Sequence, residues 1–255
     1  MSELENNGVN VAEEIPQGPD LDPALVEEMA KAGVLYGRKK SKTHPRMRPF
    51  IYTTRNSIEI LDLPKTHEAL DKAGEFIKEV AKKDGLVLVV GTKPAAQDLV
   101  ENFGKKFSMP YVTKRWLGGT VTNFKTILKR TQFYQNLKTQ EATGKLDKYT
   151  KKEQLGFRKL IEKMDIFFSG LEKLTRLPDA LLVVNVNDHI TAVREAKISK
   201  IPVVAILSTD TDPGIVSYPI PANDNAQSSL AWIFQKLEAK MAEGIKEKVP
   251  TAAPK

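Results

Sequence analysis

The sequence predicts an α/β protein built on a doubly wound parallel sheet, with a pair of long helices inserted into it. Three observations carry that prediction. Leu86-Val87-Leu88-Val89-Val90 is a continuous apolar run, the pattern of a parallel strand covered on both faces. Comparable runs at 180–184 and 203–207 are, like the first, followed by segments of helical spacing, at 94–106, 189–199 and 226–240. Repeated β-then-α order implies right-handed crossovers and a parallel sheet. Between the halves, residues 123–137 and 151–174 both have helical spacing and are joined by a polar link containing Gly144. That pattern predicts an antiparallel helical hairpin projecting from the sheet domain.

The remaining elements follow in chain order. Residues 1–20 are acidic and broken by Pro16, Gly18 and Pro19, so they are expected to be a disordered tail. Residues 21–32 read as a short helix with Asp22 as N-cap, Pro23 in the first position and Gly33 just past the end. Residues 38–49 hold two prolines and no amphipathic period, and are expected to form a loop. Residues 50–52 and 57–61 read as hairpin strands, 65–83 as an amphipathic helix, and Tyr111-Val112 as a short strand. The expected organisation is an acidic tail (1–20), a discontinuous α/β domain (21–122 with 176–243), a helical hairpin (123–175) and a flexible C-terminal tail (244–255).

Composition narrows the function. Cys is absent, which removes disulfide, thiolate and cysteine–metal chemistry. No apolar run reaches the roughly 18 residues that span a bilayer, and no basic start precedes an apolar run, so neither a membrane span nor a secretory signal is expected. The net charge of +7 is unevenly spread. Residues 1–28 carry eight acids and no Lys or Arg, so the rest holds 39 basic and 24 acidic residues, or +15. Residues 114–176 alone hold 15 basic and six acidic residues, or +9. A body so charged points to a polyanionic partner.

Two segments fit nucleic-acid contact. In 38–48, Arg38, Lys39, Lys40, Lys42, Arg46 and Arg48 occur without a balancing acid. Such a loop neutralises phosphates and releases counterions, and its prolines limit what must be frozen on binding. In Lys114-Arg115-Trp116-Leu117-Gly118-Gly119-Thr120, a basic pair adjoins an indole that can either stack on a base or anchor the core. The two glycines there allow close backbone approach. Along the first predicted arm helix, Lys125, Lys129 and Arg130 add further cations. The arm's apolar positions, Phe124, Ile127 and Leu128 with Leu160, Ile161, Met164, Phe167 and Phe168, are expected to hold it rigid.

Enzyme readings have less support. Gly91-Thr92-Lys93 sits where an α/β fold can bind phosphate, yet it carries neither glycine-rich phosphate-loop pattern. His44, His67 and His189 show no metal-ligand spacing, so neither cofactor nor metal is expected. Asp210 and Asp212 flank Thr211 before Pro213-Gly214, a sequence that forms a turn by itself. The competing functions are a nucleotide-binding enzyme using the Gly91 turn and the Asp210 region, and a coiled-coil adaptor whose charge is incidental.

Several stretches together resemble the bacterial ribosomal protein S-two family. They include Pro45-Arg46-Met47-Arg48-Pro49-Phe50-Ile51, Val90-Gly91-Thr92-Lys93, Arg115-Trp116-Leu117-Gly118-Gly119-Thr120, Glu195-Ala196, and Tyr218-Pro219-Ile220-Pro221-Ala222-Asn223-Asp224, in order over roughly 25–240. The resemblance implies a flavodoxin-like, Rossmann-type domain with a protruding coiled-coil hairpin. It implies a cytoplasmic, non-catalytic role in the small ribosomal subunit, in a bacterial or organellar branch. Its implied partners are rRNA between head and body on the solvent side, neighbouring small-subunit proteins and ribosomal protein S-one, with no membrane and no small-molecule substrate. The chain departs from the family pattern at Leu35 and Arg38, where histidines are usual, and at His44, where Trp is usual. Arg38 is there expected to add a phosphate contact.

Overall fold

The computed structural model describes residues 22–248. The expected tail at 1–20 and the end of the expected C-terminal tail lie outside them. Helix α1 (Pro23–Lys31) starts as its sequence requires, with the Asp22 carboxylate accepting from the Ala24 N–H at 3.0 Å. It ends at Gly33, whose φ of 75° lies in the left-handed region.

The chain then forms a small antiparallel sheet in the order β1-β3-β2, from β1 (Tyr36–Lys39), β2 (Ile51–Arg55) and β3 (Ile58–Leu61). The β2–β3 hairpin turns on Asn56 and Ser57, both with positive φ, as a tight hairpin twisted with its strands requires. The expected loop at 38–49 is thus corrected. Arg38 and Lys39 belong to β1, and the rest, apart from Thr43 and His44, folds as two 3-10 turns, Lys40–Lys42 and Pro45–Phe50. The strand is hard to see in the sequence because four residues interrupted by Gly37 carry no usable period.

Helix α2 (Leu63–Lys82) leads into the main sheet, which is all parallel and ordered β5-β4-β6-β7-β8. Its strands are β4 (Val87–Val90), β5 (Tyr111–Val112), β6 (Ala180–Val184), β7 (Val203–Leu207) and β8 (Tyr218–Pro221). Strand β8 was hidden by Pro219 and Pro221. Proline cannot donate to a ladder, but an edge strand does not need every donor.

Side-chain alternation splits the core in two. Val87, Val89, Leu182, Val204 and Ile206 face α2, α3 (Pro94–Phe107) and α7 (Gln227–Lys246), while Leu88, Val90, Leu181, Val183 and Ala205 face α6 (Ile190–Ile198) and the loops around Trp116 and Leu171. Burial on both faces is why these strands read as unbroken apolar runs.

Helices α4 (Phe124–Ala142) and α5 (Lys151–Phe168) pack on each other through Tyr134, Leu137, Ile161 and Met164, with Leu146 of the link closing the cluster. A capping box opens α5, with Thr150 and Glu153 satisfying each other's backbone donors. The expected seam is corrected in part. Phe124 and Ile127 pack against the sheet core, and Leu160 is exposed, while Tyr134 and Leu137 fill the space between the helices. Tyr134 donates to Asp165 and accepts from Lys138 at 3.1 Å. Burial first, and Asp165 second, push the Tyr134 phenol up to about 12.

Candidate nucleic-acid interface

The carboxyl ends of the parallel strands gather the sequence's charged loops. Residues after β4, β6, β7 and β8 meet around one ion network. Asp224, 1% exposed, accepts from Arg38 at 2.6 Å and from the Asn185 amide at 2.6 Å. Arg38 also donates to Asn225 and lies 3.5 Å from Asp210, while Lys93 reaches Asn225 and Asp188. Burial raises the Asp224 pKa more than Arg38 and Lys93 lower it. The Arg38 charge, expected from the sequence to meet phosphate, is committed here to a buried carboxylate.

The segment at 38–48 is fastened to the same edge. Arg38 N–H donates to Thr209 Oγ1 at 2.8 Å and His44 N–H to the Thr209 carbonyl at 2.8 Å. Beneath it, buried Glu59 accepts from Thr43 and Thr54. Arg46 is anchored to Asp212, which also caps the next turn by accepting from Gly214 N–H, so Asp212 has the expected turn duty. Lys39, Lys40, Lys42 and Arg48 remain exposed, and none pairs with an acid among the described residues. A held backbone with four free cations loses little conformational freedom when it meets an anion.

The second segment wraps around a carboxylate that sequence reasoning missed. Glu195 on α6 is buried and accepts from Trp116 Nε1 at 3.0 Å and Gly119 N–H at 2.8 Å on one oxygen. Its other oxygen accepts from the Val121 and Thr122 N–H groups and the Thr122 hydroxyl, at 3.1, 3.3 and 3.2 Å. Burial, the largest single influence, favours the neutral acid, but the Trp116 and backbone hydrogen bonds together outweigh it and hold the pKa below the usual glutamate value. Glu195 lies at helical spacing with buried Ala192 and beside Ala196, and an acid on an apolar stripe was the signal that could have found it.

Of the two roles open to Trp116 the cage favours the core anchor, since the residue is 9% exposed, packs in the sheet core and donates its N–H to Glu195. Gly119 is needed for its φ of 88°, which turns its N–H towards Glu195. Gly118 faces open space and supports no close approach. Arg115 is exposed beside the cage without an acidic partner among the described residues, and Lys114 donates to Gln97 at 3.0 Å. Lys125, Lys129 and Arg130 are exposed on α4, whose first turn is held to the sheet core by Phe124 and Ile127.

No group of three potential metal ligands occurs among the described residues. Gly91 is a packing glycine, because a Cβ there would lie 2.9 Å from Val100 and 3.3 Å from Val184. No helix among the described residues is long and apolar enough to cross a membrane.

An α/β sheet whose exposed cations cluster on loops at its carboxyl edge, with its buried acids engaged in holding those loops, defines a basic binding protein. Residues 29–244 match the family model for ribosomal protein S2. The chain is 41% identical over 211 residues to the small ribosomal subunit protein uS2 of Thermus thermophilus, covering 83% of this chain and 82% of that one. It is 40% identical over 219 residues to the uS2 of Coprothermobacter proteolyticus (86% and 82%) and 39% over 228 residues to that of Nocardia farcinica (89% and 80%). The chain belongs to the ribosomal protein S2 family, whose members are structural proteins of the ribosome and not enzymes.

Proposed function

We propose that this chain is a structural constituent of the small ribosomal subunit that binds rRNA and supports translation. The observation that carries the reading is the set of cations that have no acidic partner among the described residues, on two held segments: Lys39, Lys40, Lys42 and Arg48 on one, Arg115, Lys125, Lys129 and Arg130 on the other. Cations of this kind position a protein on phosphates without reading base sequence. Folded RNA offers phosphates at fixed positions, and a rigid pattern of cations selects shape.

The finer points rest on the family resemblance. Helices α4 and α5 form a coiled-coil arm, inserted into a discontinuous α/β domain, that extends the contact along RNA. The protein sits between head and body on the solvent side, beside neighbouring small-subunit proteins, and helps to dock ribosomal protein S-one. Its compartment is the cytoplasm of a bacterium or the interior of an organelle of bacterial type. The packing of Tyr134, Leu137, Ile161 and Met164 supports a stiff arm. The experiment is cosedimentation of tagged protein with ribosomal subunits from lysate across a salt series. Migration with the small subunit at moderate salt and release at high salt is expected; protein found only at the top of the gradient at every salt overturns the reading.

A further inference from the structure

Helix α6 presents a charged face that the basic segments read from the sequence do not include. Arg194, Lys197 and Lys200 are exposed, and none has an acidic partner among the described residues. The only acid within 189–201 is Glu195, which the cage around Trp116 buries. Along the chain Glu195 offsets one of the three charges; in the fold it is withdrawn from the surface, and the outward face is purely cationic. Thr191, Arg194, Lys197 and Ile198 lie at helical spacing on the side away from buried Ala192, Val193 and Ala196.

Lys200 adds a second observation. Helix α6 closes in a Schellman motif, in which Lys200 N–H donates to the Lys197 carbonyl at 3.2 Å and Ile201 N–H to the Ala196 carbonyl at 2.9 Å. The motif holds Lys200 in the left-handed region, with a φ of 56°. Glycine is the usual residue there, and α1 ends on one, Gly33. Among the described residues the other non-glycine positions with positive φ are Asn, Ser or Asp, so Lys200 is the one long side chain held this way. A residue kept in a strained conformation that Gly would relax points to a use for its side chain. The competing account is that cations near a helix C-terminus favour the macrodipole. That effect fades beyond the last turn and does not extend to Arg194 in the middle of α6.

The face adjoins cations of the RNA-binding reading. Thr191, one turn before Arg194, lines an open cleft of about 410 Å³ together with Lys114 and Arg115. Glu195 ties α6 to the turn that leads into α4, so the cations of helix and turn are carried on one frame. A fixed row of cations matches phosphates at fixed positions. The face also has no exposed aromatic on which an unpaired base could stack. Both properties fit a double-helical RNA, which proteins grip by backbone and shape, better than a single strand. We propose that Arg194, Lys197 and Lys200 form a third contact, beside Arg115, with the phosphate backbone of a double-helical RNA. The inference rests on the RNA-binding reading and deepens it by naming a further surface and the form of RNA that fits it.

The test uses the full chain with small-subunit rRNA. Lysine acetylation by acetic anhydride, read by mass spectrometry, is compared with and without the RNA. Lys197 and Lys200 are expected to be protected, while Lys246, exposed on α7 across the sheet, is not. Combining Arg194→Gln, Lys197→Gln and Lys200→Gly, all at exposed positions, should flatten the slope of log affinity against log salt by about 2–3, from 0.7–0.9 for each phosphate no longer neutralised. The same variant should lose more affinity for a hairpin RNA with a stem of about 16 base pairs than for an oligouridylate of equal length. Lys200→Gly alone separates the two accounts of that residue. The proposal expects a higher urea midpoint, as the left-handed strain is relieved, together with a flatter salt slope. The macrodipole account expects a lower midpoint and an unchanged slope, and that result counts against the proposal. Lys197 and Lys200 left unprotected, or an unchanged slope in the triple variant, overturns it and leaves the RNA-binding reading standing. An equal or greater loss for the oligouridylate also overturns it, because the contact is then not with a duplex. Failure of the unaltered chain to bind rRNA at all removes both.

Discussion

The Trp116 indole N–H donates to Glu195 Oε1 at 3.0 Å, joining the loop after β5 to α6 across 79 positions of sequence. Because Gly119, Val121 and Thr122 donate to the same carboxylate, one buried charge, which has no basic partner at hydrogen-bond distance among the described residues, organises the Trp116–Thr122 turn. Arg115 is thereby carried on a held turn, with its side chain exposed.

Glu195→Gln is expected to destabilise the fold by about 2–3 kcal/mol, because an amide nitrogen must then face N–H donors that lose a charged acceptor. Urea unfolding followed by circular dichroism measures it, with the midpoint lowered and the slope unchanged. A loss below about 0.5 kcal/mol, the level of an ordinary surface change, would show that the cage is not holding the turn.

The same carboxylate sets an acid limit. Its folded pKa lies below the ordinary glutamate value, so its stabilisation is complete above that value and disappears as pH falls through the folded one. The stability gap between the native chain and Glu195→Gln should therefore shrink on acidification below the ordinary glutamate range, near about pH 4.3. A gap that stays constant through that range would contradict the charged cage.

Arg38 and its neighbours should separate cleanly. Arg38→Met leaves Asp224 buried without its guanidinium and is expected to cost about 3–5 kcal/mol while leaving the salt dependence of RNA binding unchanged. Replacing Lys39, Lys40 and Lys42 by Ala should leave stability nearly untouched and flatten the slope of log affinity against log salt by roughly 0.7–0.9 for each phosphate no longer neutralised. Filter binding to rRNA across a salt series distinguishes the two, and an unchanged slope in the triple variant would remove those lysines from the interface.

In the arm, Tyr134→Phe removes the hydroxyl shared by Asp165 and Lys138 and is expected to cost about 1–2 kcal/mol. The phenol's folded pKa is raised to about 12, so its contribution is fully present below the ordinary tyrosine value and is lost as pH rises through about 12. Alkaline unfolding should thus destabilise the native chain more steeply than the Phe variant, and parallel curves would argue against a phenol held neutral at that site.

The buried strands and the long helices were legible in the sequence because their signals are local. A strand covered on both faces must be apolar throughout, as 87–90, 180–184 and 203–207 are, and a packed helix must repeat its apolar residues near every 3.6 positions. The cap at Asp22 and the turn at Asp212 were readable for the same reason, each acting on its own nearest backbone. Strands β1 and β8 were not, since one is short and the other carries two prolines that only an edge position tolerates.

The sequence by itself determined the α/β order, the helical insertion and the excess of positive charge, because composition and periodicity belong to the chain before it folds. Tertiary structure alone decided which charges are free. Arg38 and Lys39 are adjacent and equally cationic, yet burial against Asp224 commits the first while the second stays in solvent. Whether a charge meets a carboxylate or water depends on partners such as Asp224 and Asn225, 186 and 187 positions away, and the sheet brings them together only when it closes.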